Sequence, residues 1–257
     1  GEVTMIRTRG DLDRHWQRWT AASDDVSALP VGIILAMEGA DPIVTESQAA
    51  EWFDAGLRCA SLVHYAHGVY AVGTGESGPL TPRGRDLLRE FDRLGIILDV
   101  THLCDACFDE ALDAFAGPVL ASHHNCRSLV PGDRQLTDAQ IKRLIERGGV
   151  IGAAMDAWML HPGYVRGRTP RDAVKIDAVA DHIDHVCQLA GDTQHAAIGS
   201  DLDGGFGTEQ TPAGLDTIAD IQKLETILAA RGYSDADIDA VFHGNWLRYF
   251  REHLPGE

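Results

Sequence analysis

An α/β fold of the parallel (β/α)-barrel type is what the sequence predicts, and three observations carry that prediction. Six short apolar runs recur near 31–37, 57–63, 95–100, 118–122, 150–154 and 195–200. Segments of helical period separate most of them, and no hairpin signal joins neighbouring runs. Five of the six are followed by a residue able to bind a metal or move a proton, as in barrels whose strand C-termini surround one cavity.

Taken in order, Gly10-Asp11 is placed to cap a helix through LDRHWQRW, with Leu12, Trp16 and Trp19 at helical spacing. Ala22–Pro30 reads as a polar turn. VGIILAM, residues 31–37, is an unbroken apolar run and is expected to be a strand buried on both faces, ending at Glu38. Thr45 opens a helix with a capping-type start that Gly56 stops. LRCASLV leads to His64, and a loop rich in glycine and small residues follows, carrying His67 as a solvated side chain. Thr81-Pro82 starts the next helix and Gly95 ends it. The third and fourth runs release His102 after LDVT and His123 after VLAS. The fifth run ends without an obvious polar group. Beyond it lies an irregular insertion in which Met155, Trp158, Met159 and Tyr164 are expected to pack locally. Asp172–Ala190 is helical, with His182 and His185 expected on a solvated face beside Asp181 and Asp184. HAAIGS leads to Asp201, and two helices, Ala213–Arg231 and Ser234–His253, close the chain.

Bulk properties narrow the function. The 257 residues carry 22 basic against 39 acidic side chains, a formal net charge of −17. That balance argues against nucleic acid or an anionic membrane surface as the main partner. No apolar run reaches the roughly 18 residues of a spanning helix, and the N-terminus has no signal-peptide core. Five cysteines, an odd number, do not make a disulfide framework, so a reducing and cytoplasmic setting is expected.

Glu38, His64, His102, His123 and Asp201 therefore form one expected constellation. A carboxylate with two or three neutral imidazoles is a nitrogen and oxygen ligand set suited to Zn²⁺ or a similar divalent ion. A bridging carboxylate can hold two such ions around a shared hydroxide, with Asp201 handling protons for the leaving amine. Cys104-Asp105-Ala106-Cys107 has CxxC spacing directly after His102 but no second CxxC, and reads as a coincidental pair.

The segments MEGAD, LVHYAHGVYAVG, LDVTHLCDACFDEAL, PVLASHHNCRSL, DRQLTDAQIKRLIERGGVIG, AIGSDLDGG and HGNWLRYF resemble, in order and spacing, the membrane (renal-type) dipeptidase family of zinc metallopeptidases. The resemblance implies a (β/α)8 TIM-type barrel, usually homodimeric, with two zinc ions. It also implies hydrolysis of dipeptides, including those with a C-terminal D-residue, by a metal-bound hydroxide. Glu38 matches the bridging carboxylate, and His102 and His123 match ligands of the second zinc. His64 matches the histidine that contacts substrate and steadies the oxyanion. Asp201 matches the acid that relays a proton to the leaving amine. Arg134 matches the arginine that grips the substrate's terminal carboxylate, ahead of its neighbour Arg127.

One departure is large. The family's first zinc is also held by a His-x-Asp pair, and upstream of Glu38 the only histidine is His15, in a helical context. The missing pair agrees with the shortfall of two strands against a closed barrel. The expectation is a single, incomplete barrel domain over 1–257 that lacks the family's first two strands and holds one metal. Two alternatives stay open: a catalytically impaired binding protein derived from the family, and an amidohydrolase-like barrel acting on another amide or a lactam.

Overall fold

Parallel pairing runs through the computed structural model, which describes residues 2–22 and 26–256. Residues 23–25, inside the expected Ala22–Pro30 turn, lie outside the described residues. The chain divides into two compact units. One runs to Val119 and includes the C-terminal segment from Leu247; the other is Leu120–Trp246.

The first unit opens with β1 (Val3–Met5), α1 (Arg9–Thr20), β2 (Val31–Ile33) and β3 (Leu35–Met37). It continues with α2 (Ala49–Ala55), β4 (Leu57–Ala60), α3 (Pro82–Leu94), β5 (Ile97–Asp99) and α4 (Asp105–Ala114). β1 pairs with β2, while β3 pairs with β4 and β4 with β5, in parallel throughout. The Leu98 amide donates to the Pro118 carbonyl at 3.0 Å, bringing the start of β6 (Val119–Leu120) beside β5. α3 begins and ends where its sequence dictates. Thr81 caps it by accepting from the Gly84 amide, Pro82 fills the first turn, and Gly95 leaves in the left-handed region at φ +75°. Its Leu87, Leu88 and Phe91 are buried. α1 starts earlier than expected, because Thr8 and Asp11 form a reciprocal capping box. Its Leu12 packs with Ile6 and Leu254, against partly buried Leu247 and Phe250 from the returning C-terminal segment.

The run 31–37 departs from the expected doubly buried strand. It changes pairing partner around Ile34 and so splits into β2 and β3. Val3 pairs with Val31 and Met5 with Ile33, and residues two apart on a strand share a face. That face is open, with Val3 57 %, Val31 55 % and Ile33 40 % exposed. β1 itself was not foreseen; three residues before a helix give too short a pattern to read.

The second unit holds α5 (Asp138–Glu146), β7 (Ile151–Ala153), α6 (Asp177–Ala190), β8 (Ala196–Ile198), α7 (Lys223–Ala230) and α8 (Asp235–Asp239). A π-helical turn, Ala240–Gly244, leads into α9 (Asn245–His253). β7 and β8 pair in parallel, and Ala121 beyond β6 bridges Ile151. The HGNW segment explains itself here. Asn245 donates to the Thr193 and Ala196 carbonyls at 2.6 and 2.8 Å, and the Trp246 indole to the Ile198 carbonyl at 2.9 Å. Both ends of β8 are thereby fastened.

His182 corrects the expectation of a solvated histidine. It is 2 % exposed, and its Nδ1 accepts from the Cys126 amide at 3.0 Å. Burial pushes its pKa down to about 4, with a smaller push from His185. Between the ordinary histidine value near 6.5 and about 4, the unfolded chain therefore binds a proton that the folded chain does not. This contribution to stability is complete above that window and is lost as pH falls through it, roughly 3 kcal/mol in all. Urea unfolding between pH 7 and 4.5 should show the loss in the wild type. His182→Asn, which keeps an acceptor for Cys126, should show a shallower pH dependence; an unchanged slope would refute the assignment. His185 is the less buried member of the pair but is itself half-buried, its Nε2 at 2.8 Å from Asp138 Oδ1 and 3.0 Å from Ser128 Oγ.

Candidate active site

In the first unit three strand ends bring Glu38, His64 and His102 together. Glu38 follows β3 directly, and the next amide, Gly39, donates to Ser61 Oγ beyond β4 at 2.7 Å. Beyond β5, the Thr101 amide donates to Asp99 Oδ1 at 3.0 Å, a tight local turn after which His102 sits at φ +71°. His102 Nε2 lies 3.0 Å and His64 Nε2 3.6 Å from Glu38 Oε1. The two imidazoles meet edge to face, with centroids 4.2 Å apart. Tyr65 closes the group, its ring 4.6 Å from His64 and 4.9 Å from His102. Thr74 Oγ1 sits 3.2 Å from His102 Nδ1. Holding that nitrogen turns Nε2 toward Glu38, the outer support that metal-binding histidines ordinarily have.

In the second unit, β6 and β8 bring His123 and Asp201 together. His123 Nε2 is 3.9 Å from Asp201 Oδ1, and Ser122 Oγ is 2.9 Å from His123 Nδ1. Arg134 is buried and donates from Nη2 to the His123 carbonyl at 3.0 Å, while Arg127 donates from Nε to the Gln135 carbonyl at 2.9 Å. Asp201 has φ +57°, and a Cβ on Gly204 would come within 2.4 Å of Asp201 Oδ1. That close approach requires glycine where the loop folds back over the carboxylate.

Among the described residues, three non-glycine residues have left-handed backbone: Ala66, His102 and Asp201. Two are expected site residues, and the third lies two positions beyond His64. Such backbone costs of order 1–3 kcal/mol per residue and gathers at functional sites.

Asp156 was missed. It lies just beyond β7, a polar group following the fifth run as the others follow theirs. It is buried, accepts from the Trp158 amide at 3.3 Å and from Gln210 Nε2, and the Ala157 amide donates to the Gln210 carbonyl at 2.8 Å. These bonds tie the loop after β7 to the loop after β8 that begins at Asp201. Burial raises its pKa, the bonds from Gln210 and Trp158 oppose the rise, and the charge of Asp201 adds to it. Tyr65 and Thr74 were also missed. His67 is exposed at 3.9 Å from Glu76 Oε2, as a solvated residue should be. Met155 and Met159 are buried, in line with local packing.

Residues 14–254 match the family model for membrane dipeptidase, peptidase family M19. The chain belongs to this family. Its relatives include the dipeptidase tcpJ of Claviceps purpurea, 30% identical over 204 residues that make up 77% of this chain and 45% of tcpJ. A metallopeptidase from Rhodobacter sphaeroides, solved with a phosphinate mimic of the dipeptide L-Ala-D-Ala, is 27% identical with a TM-score of 0.82, covering 99% of this chain and 69% of its own. The family M19 dipeptidase AC is 27% identical with a TM-score of 0.84, covering 100% of this chain and 73% of its own. The fold class is thus that of the (β/α)8 barrel enzymes. The chain spans about half the length of the curated relatives it matches. No helix among the described residues is long and apolar enough to cross a membrane.

Proposed function

We propose that the protein carrying this chain hydrolyses dipeptides with a bound divalent metal, accepting a D-residue at the C-terminal position. The carrying observation is the Glu38 carboxylate 3.0 Å from His102 Nε2, with His64 Nε2 on the same oxygen at 3.6 Å. The His102 Nε2 lone pair facing a carboxylate is reconciled by a cation between them, and with His123 this donor set fits Zn²⁺. Glu38, His102 and His123 are its ligands in this reading, one zinc for this chain and two in the complete family site. When bound, the metal acidifies water toward a hydroxide nucleophile at neutral pH and polarises the scissile carbonyl.

The chain's own residues do the rest. Glu38 would hold the metal and keep its charge beside the reacting carbonyl. His64 orients the substrate and donates toward the oxygen that gains charge in the tetrahedral state. Asp201 takes a proton from the attacking water and delivers it to the leaving amine, without which the amine departs poorly. Arg134 pairs with the terminal carboxylate of the dipeptide, the group that distinguishes a dipeptide from the interior of a longer chain. Residues 1–257 form one metallopeptidase domain in this reading, working as a homodimer in the cytoplasm.

The test is a panel of L-Ala-L-Ala, L-Ala-D-Ala, tripeptides and a β-lactam, with metal content measured alongside. Both dipeptides should be cleaved and the tripeptides spared. Chelation should abolish activity and Zn²⁺ restore it. A metal-replete protein that leaves the dipeptides intact would refute the assignment, and cleavage of the β-lactam alone would move it to another amide.

A further inference from the structure

The CxxC beside His102 has a structural relation to it. Cys104 caps α4 and Cys107 is the third residue of that helix; both are buried. Their two Sγ atoms converge on one acceptor, the Gly78 carbonyl, at 3.3 Å each, which brings the two thiols beside one another. Cys107 Sγ in addition accepts from the Val72 amide at 3.2 Å, and the Cys104 amide donates to the Val72 carbonyl at 3.0 Å. Segment 72–78 is thus held at both ends by the cysteine pair. From its middle, Thr74 reaches His102, with Oγ1 at 3.2 Å from Nδ1 and 3.4 Å from the carbonyl oxygen. The other cysteines stand apart: Cys59 lies in β4, Cys126 donates to the His182 carbonyl, and Cys187 lies in α6.

We propose that Cys104 and Cys107 form a reversible disulfide that unlatches segment 72–78 and thereby shifts the Thr74 support of His102. Cys-x-x-Cys at a helix start places two sulfurs close enough to join with little backbone movement. The oxidant is a small-molecule disulfide such as oxidised glutathione. Cys104, 4 % exposed against 0 % for Cys107, reacts first. Its sulfur attacks the oxidant, forming a mixed disulfide and expelling one glutathione thiol. Cys107 then attacks the Cys104 sulfur and expels the second. Both S–H protons leave with the two glutathione thiols; the cysteine pair is oxidised by two electrons and the glutathione disulfide is reduced by two. A disulfide carries no S–H, so the Gly78 carbonyl loses both of its sulfur donors. The segment that positions Thr74 is then released at that end.

The consequence for metal rests on His102 being a ligand; the disulfide and the movement of His102 do not. The experiment equilibrates the full protein across a reduced-to-oxidised glutathione series. Mass spectrometry should show the peptide bearing Cys104 and Cys107 losing two hydrogens, reversibly, while the other three cysteines stay alkylatable. In metal-free protein the imidazole ¹⁵N resonances of His102 should move with the same midpoint. Cys104→Ser and Cys107→Ser should each abolish that response. Zn²⁺ affinity should fall about tenfold on oxidation, the range for losing an outer partner of a metal-binding histidine. Thiols that stay alkylatable throughout the series overturn the proposal, as does a disulfide that forms while His102 stays still. Unchanged Zn²⁺ affinity despite movement of His102 supports the redox pair and overturns the ligand role of His102.

Discussion

Glu38→Gln should lose the metal and cut kcat/KM by about a thousandfold, near 4 kcal/mol of transition-state stabilisation. The amide keeps the size of the side chain and one oxygen acceptor, so nothing steric is at stake. What changes is charge and donor pattern. In the wild type two imidazole Nε2 atoms, of His102 and His64, face one carboxylate oxygen at 3.0 and 3.6 Å. A carboxylate there draws a cation to a point that the His102 Nε2 lone pair can also reach, and His64 stands beside it facing the substrate. A Gln amide group donates its own N–H to an imidazole nitrogen, which satisfies the cluster without a metal. The Glu38 side chain is 45% exposed, so the fold itself has little reason to suffer, and the melting temperature should equal that of the wild type when both are metal-free. Metal content and kcat/KM on L-Ala-D-Ala, measured on one preparation, check the result. A variant that retains stoichiometric metal and full activity removes Glu38 from the site.

The strand-end residues were legible because the rule behind them is local: an apolar run stops and the next side chain enters the space beyond the strand. Glu38 and His64 follow it directly, His102 and His123 after one hydroxyl residue (Thr101, Ser122), and Asp201 after Gly199-Ser200. Asp156 follows it too and was passed over only because two residues, Ala154 and Met155, extend the apolar run beyond β7. His182 shows how a local reading fails. Its acidic neighbours suggested solvent, yet Val179 and Val186 lie three and four positions away and form with it the buried stripe of α6. That stripe was present in the sequence and outranks the charges. Thr74 could not have been found so easily, since it meets His102 across 28 residues and nothing in either segment names the other. The Cys104–Cys107 pair was set aside on spacing alone; the shared carbonyl of Gly78 emerges only once the loop is folded back. The exposed faces of β1 and β2 mark the same boundary, because an apolar run specifies a strand but not what covers it.

Gly199→Ala should destabilise the fold by about 3 kcal/mol, with a fall in melting temperature of roughly 6–12 °C for a chain of this size. The methyl would arrive 2.0 Å from the Ser122 carbonyl oxygen and 2.7 Å from the Gly152 Cα. Gly152 is in the same position from the other side, its added Cβ 2.1 Å from the same oxygen. Every one of these obstacles is backbone, so no rotamer change relieves the overlap and the ends of β6, β7 and β8 must move apart. Those ends carry the site residues proposed for this unit. Ser122 precedes His123 and supports its Nδ1 at 2.9 Å, and Gly199 stands two residues before Asp201. The variant should therefore lose activity even well below its melting point, where the wild-type chain and the variant are both folded. Gly256→Ala, whose new methyl meets nothing within 4 Å, is the matched control and should stay within about 0.5 kcal/mol of wild type. If Gly199→Ala melts with the control, the strand ends are looser than the 2.0 Å approach implies, and the position of His123 must be held by Arg134 and Ser122 alone.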